Sequence, residues 1–494
     1  MIYYGILDDT VIENAVTYDI AILHPKAGNL TREQVARIQA GGTQVFGYLS
    51  AGEDLRTAGM TAEEMRADPR FVGDGTGPRI DPREEGDDTL VNVNVRGKPS
   101  PGGTGYASYY LDDNDHDGCP DRNPVFTCAY TNIGDPAWFD VLNGMTMDGT
   151  DGVPGIREIL TEHYGRGLGC DGLFLDTLDT CAPNAYTTDD NPSRTRFEWT
   201  AAGVKDFMAR IKENYPDKLI CQNRGLFFYV PPLPHYAFTP RAYVDYVFFE
   251  SYRLDSNPQQ LYHENYFSDN KHNIAPKLLA EAARPDGFTV LSLGYAEGPA
   301  EYRLRETLLG QSDEGLDALL ADIREAKRMG FSHYLTDGGL TLLNDFVYYH
   351  PIETTAHQPP AWSSVANDSP TWPPRAPSPR VGIGRAEAVE RGVVVNWDVA
   401  LHPNGVQYTL YYSDARFDFA IDPDLTQARS LPLTLGMGLD YGGKSEDAYP
   451  YSARVEGLEP GKIYYMVIRA SEAGNPQNEE KNTVFQTVEV SKNN

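Results

Sequence analysis

The chain has 494 residues but only five cysteines. None of them forms a C-x-x-C pair, which excludes a zinc ribbon. There is no apolar run near the roughly 18 residues of a membrane span. Positive charge is scarce: 42 Lys and Arg stand against 71 Asp and Glu, a net charge of −29. Such a surface repels phosphate backbones, so no nucleic-acid partner is expected, and cationic polysaccharides are favoured over anionic ones. No Ser sits in a G-x-S-x-G elbow, no H-E-x-x-H occurs, and the ten His show no metal-ligand spacing. No Gly-rich phosphate loop follows the first strand, which leaves a dinucleotide fold without support. The opening Met1-Ile2-Tyr3-Tyr4-Gly5 has neither a basic segment nor an apolar one. A signal peptide is therefore not expected in this chain, although one removed earlier is compatible with it.

What is present points to a large globular protein. Hydrophobic residues make up 40% and charged residues 23%, a balance that rules out wholesale disorder. The length exceeds the roughly 250–300 residues at which single cores stop growing, so at least two domains are expected. Residues 351–379 hold eight prolines and read as a stiff linker. It separates residues 1–350 from an all-β region, 380–494.

Eight short apolar strands are predicted in the first region: Ile2–Gly5, Asp19–Leu23, Gln44–Ser50, Gly172–Asp176, Leu219–Asn223, Tyr246–Glu250, Thr289–Tyr295 and Ser332–Asp337. Helical patterns lie between most of them, among them Thr31–Ala40, Ile156–Tyr164, Phe197–Asn214 and Glu314–Met329. Alternating strands and helices imply an α/β fold with a parallel sheet, and eight units suit a (β/α)8 barrel of TIM type, with an open doubly wound sheet as the alternative. The longest insertion follows strand three, from about Asp54 to Pro136, with a hairpin expected between Thr89–Val95 and Gly105–Leu111. In the last region, alternating runs (Val393–Trp397, Tyr408–Tyr412, Ile463–Ala470, Thr483–Val490) read as a β-sandwich. Pro460-Gly461-Lys462-Ile463-Tyr464 has the spacing of a tyrosine corner. With Trp397 as a core aromatic, the segment resembles an immunoglobulin-like fibronectin type III domain.

Barrel chemistry sits where strands end at the C-terminal face. Four of the expected ends carry an acid: Glu53, Asp176, Glu250 and Asp337. An acid ending an apolar strand is costly unless it is paired, solvated or used. A ring of carboxyls is what glycoside hydrolysis needs, one to protonate the leaving oxygen and one to attack the sugar or activate water. Glu53 and Asp337 can equally cap helices or pair with Arg224 or Arg253. Asp176 and Glu250 directly end very apolar strands and are the stronger pair. His24, ending strand two, reads first as a hydrogen-bonded structural residue.

Gly169-Cys170-Asp171-Gly172-Leu173-Phe174-Leu175-Asp176-Thr177-Leu178-Asp179 resembles the G-x-D-G-x-x-L-D-x-x-D signature of the family 114 glycoside hydrolases, the endo-α-1,4-polygalactosaminidases. Spherulin-like relatives and the hydrolase domain of Pel polysaccharide processing share that signature. Gly47-Tyr48-Leu49-Ser50-Ala51-Gly52-Glu53, Asp135-Pro136-Ala137-Trp138 and Tyr246-Val247-Phe248-Phe249-Glu250-Ser251-Tyr252 are similar to three further family segments, in order, across 1–350. The resemblance implies a (β/α)8 glycosidase that is endo-acting and retaining, with Asp176 as nucleophile and Glu250 as acid/base. The substrate would be a polymer of α-linked galactosamine or N-acetylgalactosamine. The long insertion and the sandwich depart from the family and leave another sugar specificity open, as well as a catalytically silent carbohydrate-binding or adhesion protein. A polysaccharide lyase would need a basic uronate-binding cleft, against which the acidic composition argues.

By position, Tyr48, Phe249, Tyr252 and Tyr295 are candidates for stacking on sugar rings, and Asn223 and Arg224 for hydrogen bonds to hydroxyls. Glu53, Asp179 and Asp337 are candidates to hold an ammonium. Within the insertion, Asp113-Asn114-Asp115-His116-Asp117-Gly118-Cys119-Pro120-Asp121 has the D-x-D-x-D-G-x-x-D spacing of a calcium loop. Its ligands would be Asp113, Asp115, Asp117, the Cys119 carbonyl and Asp121, without the usual Glu at position 12. A structural Ca2+ ordering the insertion is expected. Cys119/Cys128 and Cys170/Cys181 are close enough in sequence to be disulfides of a secreted or cell-surface protein, with Cys221 left over. A monomer is expected.

Overall fold

The computed structural model describes residues 1–91, 96–184, 195–256, 264–298, 303–349, 359–362, 381–390, 392–397, 400–402, 406–433 and 451–491. Most of the expected linker and residues 92–95 of the expected hairpin lie outside them. One sheet holds eight strands in sequence order: β1 (Ile2–Tyr3), β2 (Ile20–Leu23), β3 (Gln44–Ser50), β4 (Gly172–Asp176), β5 (Leu219–Asn223), β6 (Tyr246–Phe249), β7 (Thr289–Tyr295) and β8 (Ser332–Thr336). The pairs from β1 through β6 are parallel. Just beyond the outer strands, the Tyr4 N–H donates to the Leu340 carbonyl at 2.7 Å. Eight strands each beside its sequence neighbour make the (β/α)8 barrel that the strand count implies.

Helices fill most crossovers for local reasons. α1 (Asp9–Ala15) and α2 (Arg32–Ala40) precede β2 and β3, and Thr31 caps α2 in a full capping box with Gln34. α3 (Pro136–Gly144) starts on the Asp135 cap with Pro136 in its first turn, and α4 (Ile156–Leu160) leads into β4. α5 (Ala202–Asn214) leads into β5. Between β5 and β6 there are only 3-10 turns, Leu226–Tyr229, Pro234–Phe238 and Arg241–Tyr243. Pro231, Pro232, Pro234 and Pro240 account for this, since each removes a helix donor and clashes with the preceding turn. α6 (Ala275–Ala282) and α7 (Leu316–Arg328) precede β7 and β8. Among the described residues, no helix is long and apolar enough to cross a membrane.

The contacts group into two units. The first comprises residues 1–250, 287–289 and 336–344; the second comprises 251–286, 290–335 and 345–494. In the first, the rings of Tyr48, Phe174 and Phe248 form a side-chain layer inside the strands, with neighbouring centroids 6.3 and 5.2 Å apart. The insertion after β3 forms small ladders, Glu53–Asp54 with Ala129–Tyr130 and Arg79–Ile80 with Lys98–Pro99. The expected pairing with residues 105–111 is replaced by another. Residues 105–111 form no strand beyond isolated bridges to Arg79 and Thr131, and it is the chain near Lys98 that returns beside Arg79.

The second unit carries the all-β region. One antiparallel sheet holds β9 (Ile383–Val389), β10 (Gly392–Trp397) and β13 (Tyr451–Glu456). The other holds β11 (Val406–Ser413), β12 (Arg429–Leu433), β14 (Ile463–Glu472), β15 (Asn475–Glu479) and β16 (Phe485–Glu489). Trp397, Val393, Leu410, Met466 and Ile468 interdigitate between the two sheets, and Ala280 of α6 joins their core. The Tyr451 hydroxyl donates to the Pro276 carbonyl, fastening the sandwich to α6. The Glu459 N–H donates to the Tyr464 hydroxyl at 3.2 Å, the bond expected of a tyrosine corner.

All five cysteines are free. The pairing of Cys170 with Cys181 is prevented by β4, which stands between them. At about 3.3 Å per residue its five residues already exceed a disulfide's Cα reach of about 7 Å. Burial pushes the Cys128 and Cys170 thiols up to about 12.

Candidate active site

The register sets the site. Ser50 pairs with Asp176, Leu175 with Gln222 and Phe248 with Asn223. Asp176, Asn223 and Glu250 therefore leave the ends of three adjacent strands, β4, β5 and β6. The Asn223 amide joins the two acids: its Nδ2 donates to Asp176 Oδ1 and to Glu250 Oε2, each at 2.8 Å. Those two oxygens are thus no farther apart than twice 2.8 Å. Asn223 is buried, and its Oδ1 has no hydrogen-bond partner. On the other side, the Tyr48 hydroxyl donates to Asp176. Tyr48 in turn stacks on His24 at 4.5 Å and meets Tyr4 edge-on at 5.2 Å. Burial pushes His24 down to about 4, so at neutral pH it is an uncharged ring that fixes Tyr48.

Each strand end is followed by a non-glycine residue in the left-handed region: Thr177 at φ 63°, Arg224 at 52° and Ser251 at 57°. A β-branched Thr there is a true outlier, costing about 1–3 kcal/mol, and such strain collects at functional sites. The Thr177 hydroxyl holds it in place. It donates to the Asp176 carbonyl at 2.6 Å, accepts from the Gly52 N–H at 2.7 Å and lies 3.0 Å from Ser50 Oγ. Gly52 is needed for this approach, because a Cβ there would stand 2.4 Å from the Thr177 carbonyl oxygen.

Glu53 lies beside this group and is 4% exposed. Burial pushes its carboxyl up to about 7; the Asn123 amide, donating to Oε1 at 2.9 Å, opposes that, and the neighbouring Asp176 charge adds to it. Asp179 accepts from the Gly225 N–H and pairs with Arg224 at 2.9 Å, so this couple braces the turn after Asn223. Asp337 accepts from the Thr341 N–H at 2.8 Å and caps its own turn.

No protein-family model matches the chain, and no curated protein matches it. Solved structures that resemble it are glycosidase barrels. The glycoside hydrolase domain of PelA from Pseudomonas aeruginosa is 17% identical, with a TM-score of 0.39 over 69% of this chain and 96% of that one. The noncanonic maltogenic α-amylase AmyB from Thermotoga neapolitana is 12% identical, with a TM-score of 0.31 over 81% and 82%. Trehalose-6-phosphate hydrolase from Bacillus licheniformis is 11% identical, with a TM-score of 0.33 over 69% and 64%. Likeness this distant assigns no residue a role, and the barrel rests on the sheet order above.

The structure thus brings together Tyr48, Asp176, Asn223, Glu250 and Glu53, with Arg224 and Asp179 just behind. Tyr48 is buried with its hydroxyl committed to Asp176, and Phe249 is buried as well. Tyr252 and Tyr295 belong to the second unit. Tyr252 is 0% exposed between Phe267 and Phe331, with no ring face left for a sugar, and Tyr295 is buried at the end of β7. One residue and one buried cluster carry no mark in the sequence. Asn123 reaches Glu53 from 70 residues away, and no local pattern marks it. Asp322, His333 and Ser292 form a hydrogen-bonded chain of 2.8 and 2.9 Å. It has the composition of a hydrolase triad, but all three side chains are buried beyond reach of a substrate.

In the metal loop, Asp115 and Asp121 lie close to Asp112, their carboxylate oxygens within 4.8 Å of one another. Asp113 turns instead to the Trp199 indole and the Asp81 N–H. Asp117 accepts from the Cys119 N–H, and Cys119 is half-buried.

Proposed function

We propose that the chain is a retaining glycoside hydrolase with Asp176 as nucleophile and Glu250 as acid/base. The observation that carries this is the single Asn223 amide nitrogen shared by both carboxylates. Retaining enzymes hold their carboxyls about 5–5.5 Å apart and inverting ones about 6.5–9.5 Å. Two oxygens at most twice 2.8 Å apart stay short of the second range and agree with the first. In the first step an Asp176 oxygen attacks the anomeric carbon while Glu250 gives its proton to the departing glycosidic oxygen. In the second, Glu250 takes a proton from water, the water oxygen attacks the anomeric carbon, and the bond to Asp176 breaks. Asp176 suits the attacking role because donors on both sides, Tyr48 and Asn223, aim its carboxylate. The free Asn223 Oδ1 is a buried acceptor ready for a sugar hydroxyl or amine.

For substrate we read an α-linked galactosamine or partly N-acetylated polymer, cut internally. The net charge of −29 and the buried Glu53 beside the pair support a cationic sugar. The sandwich we read as a fibronectin type III-like module, on its tyrosine-corner bond and the Trp397 core. A secreted or cell-surface monomer suits a polysaccharide substrate.

The test is reducing-sugar release from α-1,4 galactosamine polymer, with and without N-acetyl groups, and the anomeric form of the first product by NMR. Glu250→Gln should cost about 10²–10⁴-fold, the usual worth of a positioned acid/base, and Asp176→Asn at least as much, with melting temperatures kept. Product of inverted configuration would overturn the mechanism. Inertness on both polymers together with tight binding would favour a silent carbohydrate-binding protein.

A further inference from the structure

We infer that the insertion binds one calcium ion through Asp112, Asp115 and Asp121, a set that differs from the one the loop spacing implies. Asp112 precedes the motif yet is 0% exposed. Its Oδ2 accepts from the Gly118 N–H at 2.9 Å and from the Ser100 hydroxyl, while its Oδ1 is buried with no partner. An orphaned buried carboxylate oxygen costs its full desolvation and calls for a cation or donor. Asp121 is 8% exposed and its Oδ2 accepts from the Asn114 N–H; Asp115, exposed, completes the group. Among the described residues, no Lys or Arg forms an ion pair with any of the three. The carboxylate oxygens lie within 4.8 Å of one another. All three are therefore close enough to share one cation at about 2.4 Å per bond. Three anionic oxygens and no nitrogen or sulfur make a hard-cation site, and the exposed side leaves room for the waters that complete a sixfold or higher shell.

The same loop is tied to the active site. The Asp121 N–H donates to the Leu111 carbonyl, and its carbonyl accepts from the Tyr130 N–H at 2.9 Å. Tyr130 is the ladder partner of Glu53. Two residues after Asp121, Asn123 donates to the Glu53 carboxylate. The ion therefore clamps the segment that positions Asn123 on Glu53. This link to catalysis rests on the glycosidase reading; the calcium site itself does not.

The experiment is calorimetric titration of the chelator-treated full chain with calcium chloride, then with magnesium chloride, beside melting curves in 1 mM calcium and in EGTA. Expected are one calcium per chain, a higher melting temperature with calcium, and magnesium binding at least tenfold weaker. Asp112→Asn and Asp121→Asn should weaken calcium binding at least tenfold. Asp115→Asn, at an exposed position where folding is safe, should do so too, while the surface control Asp9→Asn should not. No heat and no melting shift with wild type, magnesium binding as tight as calcium, or unchanged binding in Asp115→Asn would each overturn the assignment. None of these readouts uses a sugar, so failure of the glycosidase reading would show separately.

Discussion

Glu53 offers a test with a magnitude that follows from its surroundings. In the folded chain its carboxyl is pushed from 4.5 up to about 7, chiefly by burial. The folded state therefore keeps a proton between these pH values that the unfolded chain has released. Stability from this group is full below pH 4.5 and is lost as pH rises through about 7. At 1.36 kcal/mol per pH unit the whole change is about 3 kcal/mol. Glu53→Gln keeps the shape and an oxygen for the Asn123 amide but cannot ionise. Urea unfolding of both proteins at pH 5, 6, 7 and 8 should show wild type losing about 2.5 kcal/mol relative to the variant across that range. Asp176→Asn removes a neighbouring charge that raises Glu53, so in that background the loss should be smaller and complete at lower pH. Parallel stability curves for wild type and Glu53→Gln would refute the reasoning, because they would mean Glu53 is already ionised and solvated in the fold.

Asn223→Ala removes the donor shared by both acids. Losing even one charge-assisted bond, about 2 kcal/mol, should lower kcat roughly 30-fold or more, with the fold retained by circular dichroism. If the substrate is cationic, raising salt from about 0.05 to 0.5 M should raise KM on the free-amine polymer and leave it unchanged on the fully N-acetylated one, since screening acts only on charged partners. Trp397→Ala opens a cavity between the two sheets and should cost about 3–5 kcal/mol in thermal unfolding, without affecting turnover measured at a temperature where the variant is folded. Tyr464→Phe deletes the bond from the Glu459 N–H and should cost about 1 kcal/mol in the same assay.

What the sequence makes legible is what local pattern controls. β3, β4, β5 and β7 begin and end where their apolar runs do, because strands buried on both faces read as continuous Val/Ile/Leu/Phe blocks. The capping box of α2 is equally local, with Thr31 and Gln34 three residues apart. The acids at the strand ends are legible for the same reason, since a carboxylate after four apolar residues stands out. What stays hidden depends on distant partners. Asp113 belongs to the loop spacing, yet Trp199, 86 residues on, draws its carboxylate away. Asp112 lies outside the spacing and faces Asp115 and Asp121. The spacing of a loop fixes which residues are near an ion, while the surrounding packing fixes which oxygens turn toward it.

Asn223 shows the same division at the candidate active site. Asp176 and Glu250 leave strands β4 and β6, which are separated by β5. Adjacent strands lie about 4.8 Å apart, so two acids on alternate strands would start nearly 10 Å from each other, at the far edge of inverting geometry. The residue at the end of the middle strand decides whether they stay there. An aliphatic side chain would leave nothing between the two carboxyls to draw them together. An amide carries two hydrogens on one nitrogen, and it draws an oxygen from each side to 2.8 Å. The short distance between the two carboxyls is thus set by β5. A left-handed residue, Thr177, Arg224 or Ser251, directly follows each of the three side chains that meet there.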